Sequence, residues 1–321
     1  EALYSKLSGG GITVDVIIPS DYMIERLIAE DLLAPLNYDN IPDIGNILPE
    51  FWGETSEHSA HDPGNVYSVP YLYGMIGIIY NTTMVDADDP SLGSWKLMWD
   101  EKHAGNILQF NNSRDAFGSA QYFLGIDVNS DSEADWRMAL EKLKEQKPIL
   151  QGYVMDEIFN KMENGSAAIA AYYAGDYLAM YENNSDLEFF YPEEGTNLYV
   201  DAMCIPKSSK NKELAELYIN FMLEPEIARA NAEYICYASP NSLVYENEGY
   251  IETMGEDAIE ILYPDVEHFK ENYNKYAYRS NDVPADLLDQ RQHIGAGGTA
   301  AVDDKARMLF TYLSTAHSYT L

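Results

Sequence analysis

The chain has 321 residues, 46% of them hydrophobic and 23% charged, which is a globular composition with enough length for two domains. Its formal net charge of −33 disfavours nucleic acid as a partner and attracts cations, although an acidic surface kept for solubility explains much of that charge equally well. The sequence has no run of about 18 apolar residues, so it predicts no membrane-spanning helix.

Aromatic residues are plentiful, with 26 Tyr, 10 Phe and 4 Trp. Carboxylates pair with ammonium groups, and the faces of aromatic rings attract cations. The combination therefore indicates a site for an organic cation, although most of the rings are expected in the core.

The two cysteines, Cys204 and Cys236, are too few for a disulfide scaffold, and we expect two free buried thiols rather than a bridge. The six histidines show no metal-ligand spacing, and CxxC and HExxH motifs are absent. We therefore predict neither a transition-metal site nor a cofactor.

The first strand–loop–helix arrangement follows a short predicted helix at residues 1–7, inside which the chain begins; we expect a mature form or a fragment. Residues 14–19 are predicted as a strand and residues 23–28 as a helix. Ser20 and Asp21 lie between them and either cap the helix or face a ligand, because open α/β sheets bind ligands at the carboxyl ends of their strands. Tyr22 is placed to face the same region.

A long apolar and aromatic run at residues 67–80 contains glycines and suits a strand that leaves one sheet and enters another. Two further strand–loop–helix arrangements follow, at residues 107–124 and 167–181. In the first of these, Arg114 and Asp115 either face a ligand or pair with each other at a surface. Asp115 also suits the first turn of a helix.

The remaining predicted elements are less informative about function. Residues 37–66 are predicted as loop, and residues 291–321 form a tail that the pattern does not assign. Helices are predicted at residues 132–146, 156–164, 212–223 and 225–232, and in outline over 243–290, with a strand at 187–192.

Residues 198–206 form a predicted buried strand that ends at Pro206 and contains one acid, Asp201. A buried carboxylate is costly unless a cation, hydrogen-bond donors or water lie beside it. Asp201 therefore either faces solvent at the strand end or binds a cationic group.

Seven short blocks in this order resemble the spermidine/putrescine-binding proteins of polyamine ABC transporters, over residue 1 to about residue 270. The blocks are Asp15–Tyr22, Ser68–Gly74, Arg114–Phe117, Met162–Gly165, Asp201–Pro206, Asn220–Phe221 and Tyr237–Asn241.

The resemblance implies the two-lobed type II periplasmic-binding-protein fold, an α/β fold in which strands cross between the lobes at a hinge and the ligand is enclosed between them. Lobe 1 would comprise residues 1–76 and 201–246, and lobe 2 residues 77–200 and 247–290. The closed form would then dock on a membrane permease.

The resemblance also assigns roles to individual positions. Asp201 and Asp115 would pair with ammonium groups, tyrosines would cover the methylene chain, and Asn112 replaces one of the two acids that the family has at one end of the ligand. The implied ligand-binding residues are Ser20, Tyr22, Asn112, Asp115, Tyr172, Tyr199, Asp201 and Tyr237.

Two departures from the family matter. The family begins with a strand and a block that supplies aromatic residues to the site, so we expect the N-terminal strand of lobe 1 and part of the site to be missing. The tail from residue 291 does not resemble the family's closing helix.

The sequence therefore predicts a solute-binding protein that captures putrescine or spermidine at the periplasmic or extracellular face of the cytoplasmic membrane, free or lipid-anchored. It would deliver the polyamine to an ABC transporter permease. The same fold binding another small cation, an amino-acid derivative or a sugar is the alternative, because Asn112 has lost an acid. A hydrolase built on Asp115 and Asp201 is disfavoured, since no nucleophile motif such as GxSxG occurs.

Overall fold

A computed structural model describes residues 2–10, 13–53, 56 and 61–264. These residues form two compact units: the first contains the chain up to Gly74 and from Tyr199 onward, and the second contains Met75–Leu198. Within this range the chain passes from one unit to the other twice, once inside the long strand at Ser68–Asn81 and once inside the strand at Leu198–Cys204.

The strands and helices of the described residues are as follows, in chain order. The strands are β1 (Ser68–Asn81), β2 (Ile107–Phe110), β3 (Leu150–Val154), β4 (Ile169–Tyr173), β5 (Leu187–Phe190) and β6 (Leu198–Cys204). The helices are α1 (Ala2–Ser8), α2 (Asp21–Ala29), α3 (Ser113–Leu124), α4 (Glu133–Gln146), α5 (Glu157–Glu163), α6 (Ala174–Tyr181), α7 (Lys212–Leu223), α8 (Pro225–Ile235), α9 (Ser242–Tyr245), α10 (Glu248–Met254) and α11 (Glu256–Leu262).

The second unit is built on a mixed sheet with the strand order β3-β2-β4-β1-β5. Strand β2 is parallel to β3 and β4, whereas β1 runs antiparallel to β4 and β5. Because β2 and β4 are parallel neighbours, the loops that follow them leave the sheet at the same edge. The parallel strands and their following helices α3 and α6 give the α/β character that the sequence predicts.

Gly77 allows β1 to lie close against the aromatic residues of β5. It pairs with Tyr172 across β1 and β4, and a Cβ atom at this position would lie 2.2 Å from the ring of Phe189. The predicted role of glycine in this strand, close approach, therefore applies here.

The first unit places α2 against β6 around a small apolar core. This core consists of Ile17, Met23, Ile24, Leu27, Leu33, Ala202 and Cys204. Both cysteines are free; Cys204 is buried and Cys236 is partly buried.

The predicted strand at residues 14–19 is wrong, because the structure shows single bridges there instead of a ladder. Ile17 bridges Cys204 and Ser20 bridges Asp201, both antiparallel. The Ala202 amide donates to the carbonyl of Pro19 at 3.0 Å. Pro19 has no N–H to return that bond, so regular pairing stops at this position.

The predicted assignment of residues 247–290 to the second lobe is wrong for residues 247–264, which belong to the first unit. The hydroxyl of Tyr263 accepts a hydrogen bond of 2.8 Å from the Ser239 amide and lies 3.3 Å from the hydroxyl of Tyr250. These buried contacts tie α10 and α11 to the segment that follows α8. Residues 265–290 and the tail at 291–321 lie outside the described residues.

The boundaries of most predicted helices agree with the structure to within a few residues, and α7 coincides with the predicted residues 212–223. Strand β3 is not predicted by the sequence pattern. Parts of the predicted loop at 37–66 form short 3-10 helices, at Tyr38–Asn40 and Pro42–Asn46.

Candidate ligand-binding site

Asp201 lies in the middle of β6, opposite Ser20 at the start of α2. The Ser20 hydroxyl donates a hydrogen bond of 2.6 Å to Oδ1 of Asp201, and the two residues form an antiparallel bridge. The Ser20 side chain therefore holds the carboxylate from the opposite side of the bridge, and Asp201 is partly buried.

Ser20 is the N-cap residue of α2, but its side chain makes no capping hydrogen bond. A serine at this position usually accepts a hydrogen bond from a backbone amide of the first turn. Here the hydroxyl acts as a donor to Asp201 instead. Of the two interpretations that the sequence left open for Ser20, the structure shows side-chain capping to be wrong.

Asp21 is the first residue of α2 and is 6% exposed. Its Oδ1 accepts a hydrogen bond of 2.6 Å from the amide of Tyr22, and its Oδ2 accepts one of 3.1 Å from the amide of Val200. Consecutive residues Ser20 and Asp21 thus each bond to one of the consecutive residues Val200 and Asp201. Two side-chain hydrogen bonds therefore hold the start of α2 against β6, and we refer to them as the clamp.

Burial raises the pKa of Asp201 to about 6. The hydrogen bond from Ser20 lowers this pKa, and the neighbouring charge of Asp21 raises it. No Lys, Arg or His of the described ranges forms an ion pair with Asp201. The carboxylate therefore ionises near neutral pH without a cation from the described chain.

Aromatic rings accompany Asp201 in the first unit. Tyr199 precedes it by two residues on the same strand, and the Tyr199 and Tyr237 rings meet edge to face with centroids 6.3 Å apart. A Cβ atom at position 74 would lie 2.5 Å from the hydroxyl of Tyr199, so Gly74 leaves the space that this ring occupies. Tyr22 packs on the apolar core of the first unit.

A polar cluster around a single acid, Asp115, lies in the second unit, at the edge where β2 and β4 end. Asp115 is buried, and its Oδ2 accepts hydrogen bonds from Nδ2 of Asn112 at 2.7 Å and from the Tyr173 hydroxyl at 2.9 Å. Its Oδ1 accepts a hydrogen bond of 3.3 Å from Nδ2 of Asn197. Neutral donors thus position this carboxylate.

Asn112 has two functions in this cluster. Its Oδ1 accepts a hydrogen bond of 3.0 Å from the Arg114 amide, so it caps α3, while its Nδ2 holds Asp115. Arg114 and Asp115 are both buried, so the predicted alternative of a pair at the surface is wrong.

Tyr172 is one of the predicted site residues, and its ring stacks on that of Phe110 with centroids 5.5 Å apart. Tyr172 is 2% exposed, and burial raises its pKa. Its neighbour Tyr173 reaches Asp115 and was missed, as was Asn197. Successive residues of a strand point to opposite faces. Strand β4 ends in two tyrosines, and the sequence pattern does not tell which of them faces Asp115.

Among the described residues, one group of side chains has spacing suitable for a metal ion: Asp89, Asp100 and His103, whose ligand atoms lie within 4.8 Å of one another. Nζ of Lys102 lies 3.4 Å from Oδ2 of Asp89 and supplies a positive charge to the same group. We assign no metal to it.

Two units joined by strands, with an acid and aromatic rings on β6 in the first and an acid and aromatic rings where β2 and β4 end in the second, define a two-unit binding protein for small solutes. The chain belongs to the family of bacterial extracellular solute-binding proteins, whose model matches residues 2–255. Family membership and the solved relatives confirm the predicted fold class.

Individual relatives agree with this assignment. The spermidine/putrescine-binding periplasmic protein of Salmonella typhimurium is 29% identical over 243 residues, covering 75% of this chain and 68% of the relative. A spermidine/putrescine ABC transporter substrate-binding protein of Streptococcus pneumoniae is 33% identical, with a TM-score of 0.71 and coverage of 96% and 88%. A putative spermidine/putrescine ABC transporter protein of Listeria monocytogenes is 30% identical, with a TM-score of 0.79 and coverage of 97% and 88%.

None of the helices in the described ranges is long and apolar enough to cross a membrane.

Proposed function

We propose that this protein captures a polyamine, putrescine or spermidine, at the periplasmic or extracellular face of the cytoplasmic membrane and delivers it to the permease of an ABC transporter. The family is one of extracellular solute-binding proteins. The relatives from Salmonella typhimurium and Streptococcus pneumoniae are a spermidine/putrescine-binding protein and a spermidine/putrescine ABC transporter substrate-binding protein, and this similarity suggests the polyamine and the transporter.

The environment of Asp201 carries the proposal. Its carboxylate is held by the Ser20 hydroxyl, and no cation of the described chain pairs with it. An ammonium group would neutralise this charge and form a charge-assisted hydrogen bond, which is stronger in a partly buried environment than at a surface.

The rings of Tyr199 and Tyr237 complete the proposed site in the first unit. A polyamine consists of ammonium groups separated by methylenes, and an aromatic ring can cover the methylenes while its face attracts the charge. Tyr22 belongs to the same proposed site, as the residue that follows Asp21 on α2.

Asp115 in the second unit is a further candidate for binding an ammonium group. Hydrogen bonds from Asn112, Tyr173 and Asn197 hold its carboxylate in a fixed position. Asn112 would act through Asp115, and Tyr172 would support the site through its ring contact with Tyr173, whose centroid lies 4.8 Å away. Since Asn112 carries no charge, we expect putrescine to be favoured over the more highly charged spermidine.

Calorimetric titration with putrescine and with spermidine tests the proposal. We expect both amines to bind the wild-type protein and Asp201→Asn to weaken binding by about a hundredfold, since the variant removes the charge that the ammonium pairs with. Asp88→Asn is the matched control, because Asp88 is exposed in the second unit.

The absence of heat with either amine, or an unchanged affinity of Asp201→Asn, would contradict the proposal. Binding of an amino-acid derivative or a sugar by a protein that ignores both amines would support the alternative ligand class.

A further inference from the structure

The first unit contains a second buried acid beside Asp201. Asp21 is 6% exposed, and both of its carboxylate oxygens accept backbone hydrogen bonds, from Tyr22 on its own helix and from Val200 on β6. These two hydrogen bonds hold the carboxylate of Asp21 in a fixed position at the start of α2.

The same clamp brings the two acids together. Two hydrogen bonds join the start of α2 to β6: Ser20 donates to Asp201, and Asp21 accepts from the amide of Val200. Because Ser20 and Asp21 are consecutive, as are Val200 and Asp201, these bonds place the two acids near each other. The two carboxylates interact electrostatically. The groups that act on Asp201 from the described residues are the Ser20 hydroxyl and the Asp21 carboxylate, and neither is cationic.

We propose that Asp21 is the second anion of the ammonium site, a fixed charge next to Asp201 that strengthens cation binding. This inference rests on the proposed polyamine function and adds a positioning residue to it. Asp21 acts through the electrostatic potential at Asp201, because its own oxygens are occupied by backbone amides.

Two like charges held side by side destabilise each other, and an ammonium group relieves that repulsion when it binds. The pair therefore favours a cation over a neutral ligand more strongly than Asp201 alone would. The same repulsion makes Asp201 easier to protonate, so the benefit of Asp21 is restricted to pH values at which Asp201 is ionised.

The test is putrescine affinity as a function of pH for the wild type and for Asp21→Asn, a nearly isosteric change that removes the charge. At about pH 8 we expect Asp21→Asn to bind about tenfold more weakly, because Asp201 is ionised in both proteins and the variant has lost one charge. At about pH 5 we expect the difference to shrink to about twofold or to reverse, because Asp201 is protonated more readily in the wild type.

A purely structural role for Asp21 would lower the affinity by the same factor at every pH. Asp31→Asn is the matched control: Asp31 follows α2, is exposed, and pairs with Lys207, so we expect that variant to retain the wild-type pH profile. Asp21→Ser is a second neutral variant that keeps an acceptor at the helix start, in case Asp21→Asn does not fold.

An affinity ratio between wild type and variant that stays constant with pH, or equals one throughout, would overturn the inference while leaving polyamine binding intact. Failure of the wild-type protein to bind putrescine or spermidine would instead contradict the proposed function itself.

Discussion

The hydroxyl of Ser20 donates a hydrogen bond of 2.6 Å to the carboxylate of Asp201, joining residues that lie 181 positions apart in the chain. This contact positions the proposed ammonium partner, and it lowers the pKa of Asp201 against the opposing effects of burial and of Asp21.

Ser20→Ala removes this donor, so we expect the pKa of Asp201 to rise above about 6. The affinity for putrescine should fall by about tenfold near pH 6, the usual scale for a hydrogen bond to a charged group, and by less at about pH 8, where Asp201 is ionised in both proteins. Calorimetry at the two pH values measures the difference. Ser8→Ala is the control, since its hydroxyl bonds only to the exposed carbonyl of Tyr4, and an equal loss at both pH values would contradict the assignment.

The ligand-free protein should become less stable as pH rises through about 6 because of Asp201. Its folded pKa is about 6, above the ordinary value of 3.8, so the folded state holds this proton more tightly than the unfolded state does. That contribution is fully present below about pH 4 and is lost as pH rises through the folded pKa.

The Asp201→Asn side chain cannot ionise. The free energy of unfolding of the variant minus that of the wild type should therefore increase by up to about 3 kcal/mol between about pH 4 and pH 7.5. Urea denaturation without ligand measures this change, and Asp88→Asn provides the control. If the difference between Asp201→Asn and wild type does not vary with pH, Asp201 does not have a raised pKa.

Gly74→Ala should displace the ring of Tyr199, because the new Cβ would lie 2.5 Å from the Tyr199 hydroxyl. Overpacking of this kind costs about 1 to 3 kcal/mol, and we expect a weaker putrescine affinity as well. Thermal denaturation and calorimetry measure the two effects. Gly45→Ala is the matched control, as nothing lies within 4 Å of its added Cβ. Combining Gly74→Ala with Tyr199→Phe removes the hydroxyl that the new Cβ meets, so the double variant should regain part of the lost stability.

Asn112→Asp would place a second carboxylate where Nδ2 of Asn112 now donates to Asp115 at 2.7 Å. In the absence of ligand the repulsion should destabilise the second unit by about 1 to 3 kcal/mol. The added charge should raise the affinity for spermidine relative to putrescine by about fivefold. An unchanged ratio of the two affinities would show that position 112 does not act on the ligand.

The sequence predicted those parts of the fold that local patterns determine. The amphipathic residues 212–223 specify α7 without help from the rest of the chain, and the apolar run at 107–110 specifies β2. Residues 14–19 have the composition of a strand, but the missing N–H of Pro19 limits their pairing with β6 to single bridges. The local pattern does not reveal this pairing, because β6 lies far along the chain.

The site was predicted in part. Asp201 was conspicuous because an acid interrupts an apolar strand, and Ser20 was conspicuous because it lies between a predicted strand and a predicted helix. Tyr173 and Asn197 were missed because their role depends on which face of a strand turns toward Asp115. Asp21 was identified only as a possible cap or ligand-facing residue, since its contact with Val200 joins segments that are 179 residues apart.

The most direct test of the account is the pKa of Asp201 itself, measured from the pH dependence of its side-chain carboxyl ¹³C resonance, with and without saturating putrescine. The resonance is assigned by its absence in Asp201→Asn. We expect an apparent pKa near 6 in the free protein and a fall of at least about one unit when putrescine binds, because an adjacent ammonium group favours the ionised carboxylate. An apparent pKa that is the same in the free and the putrescine-saturated protein would contradict the claim that Asp201 binds an ammonium group.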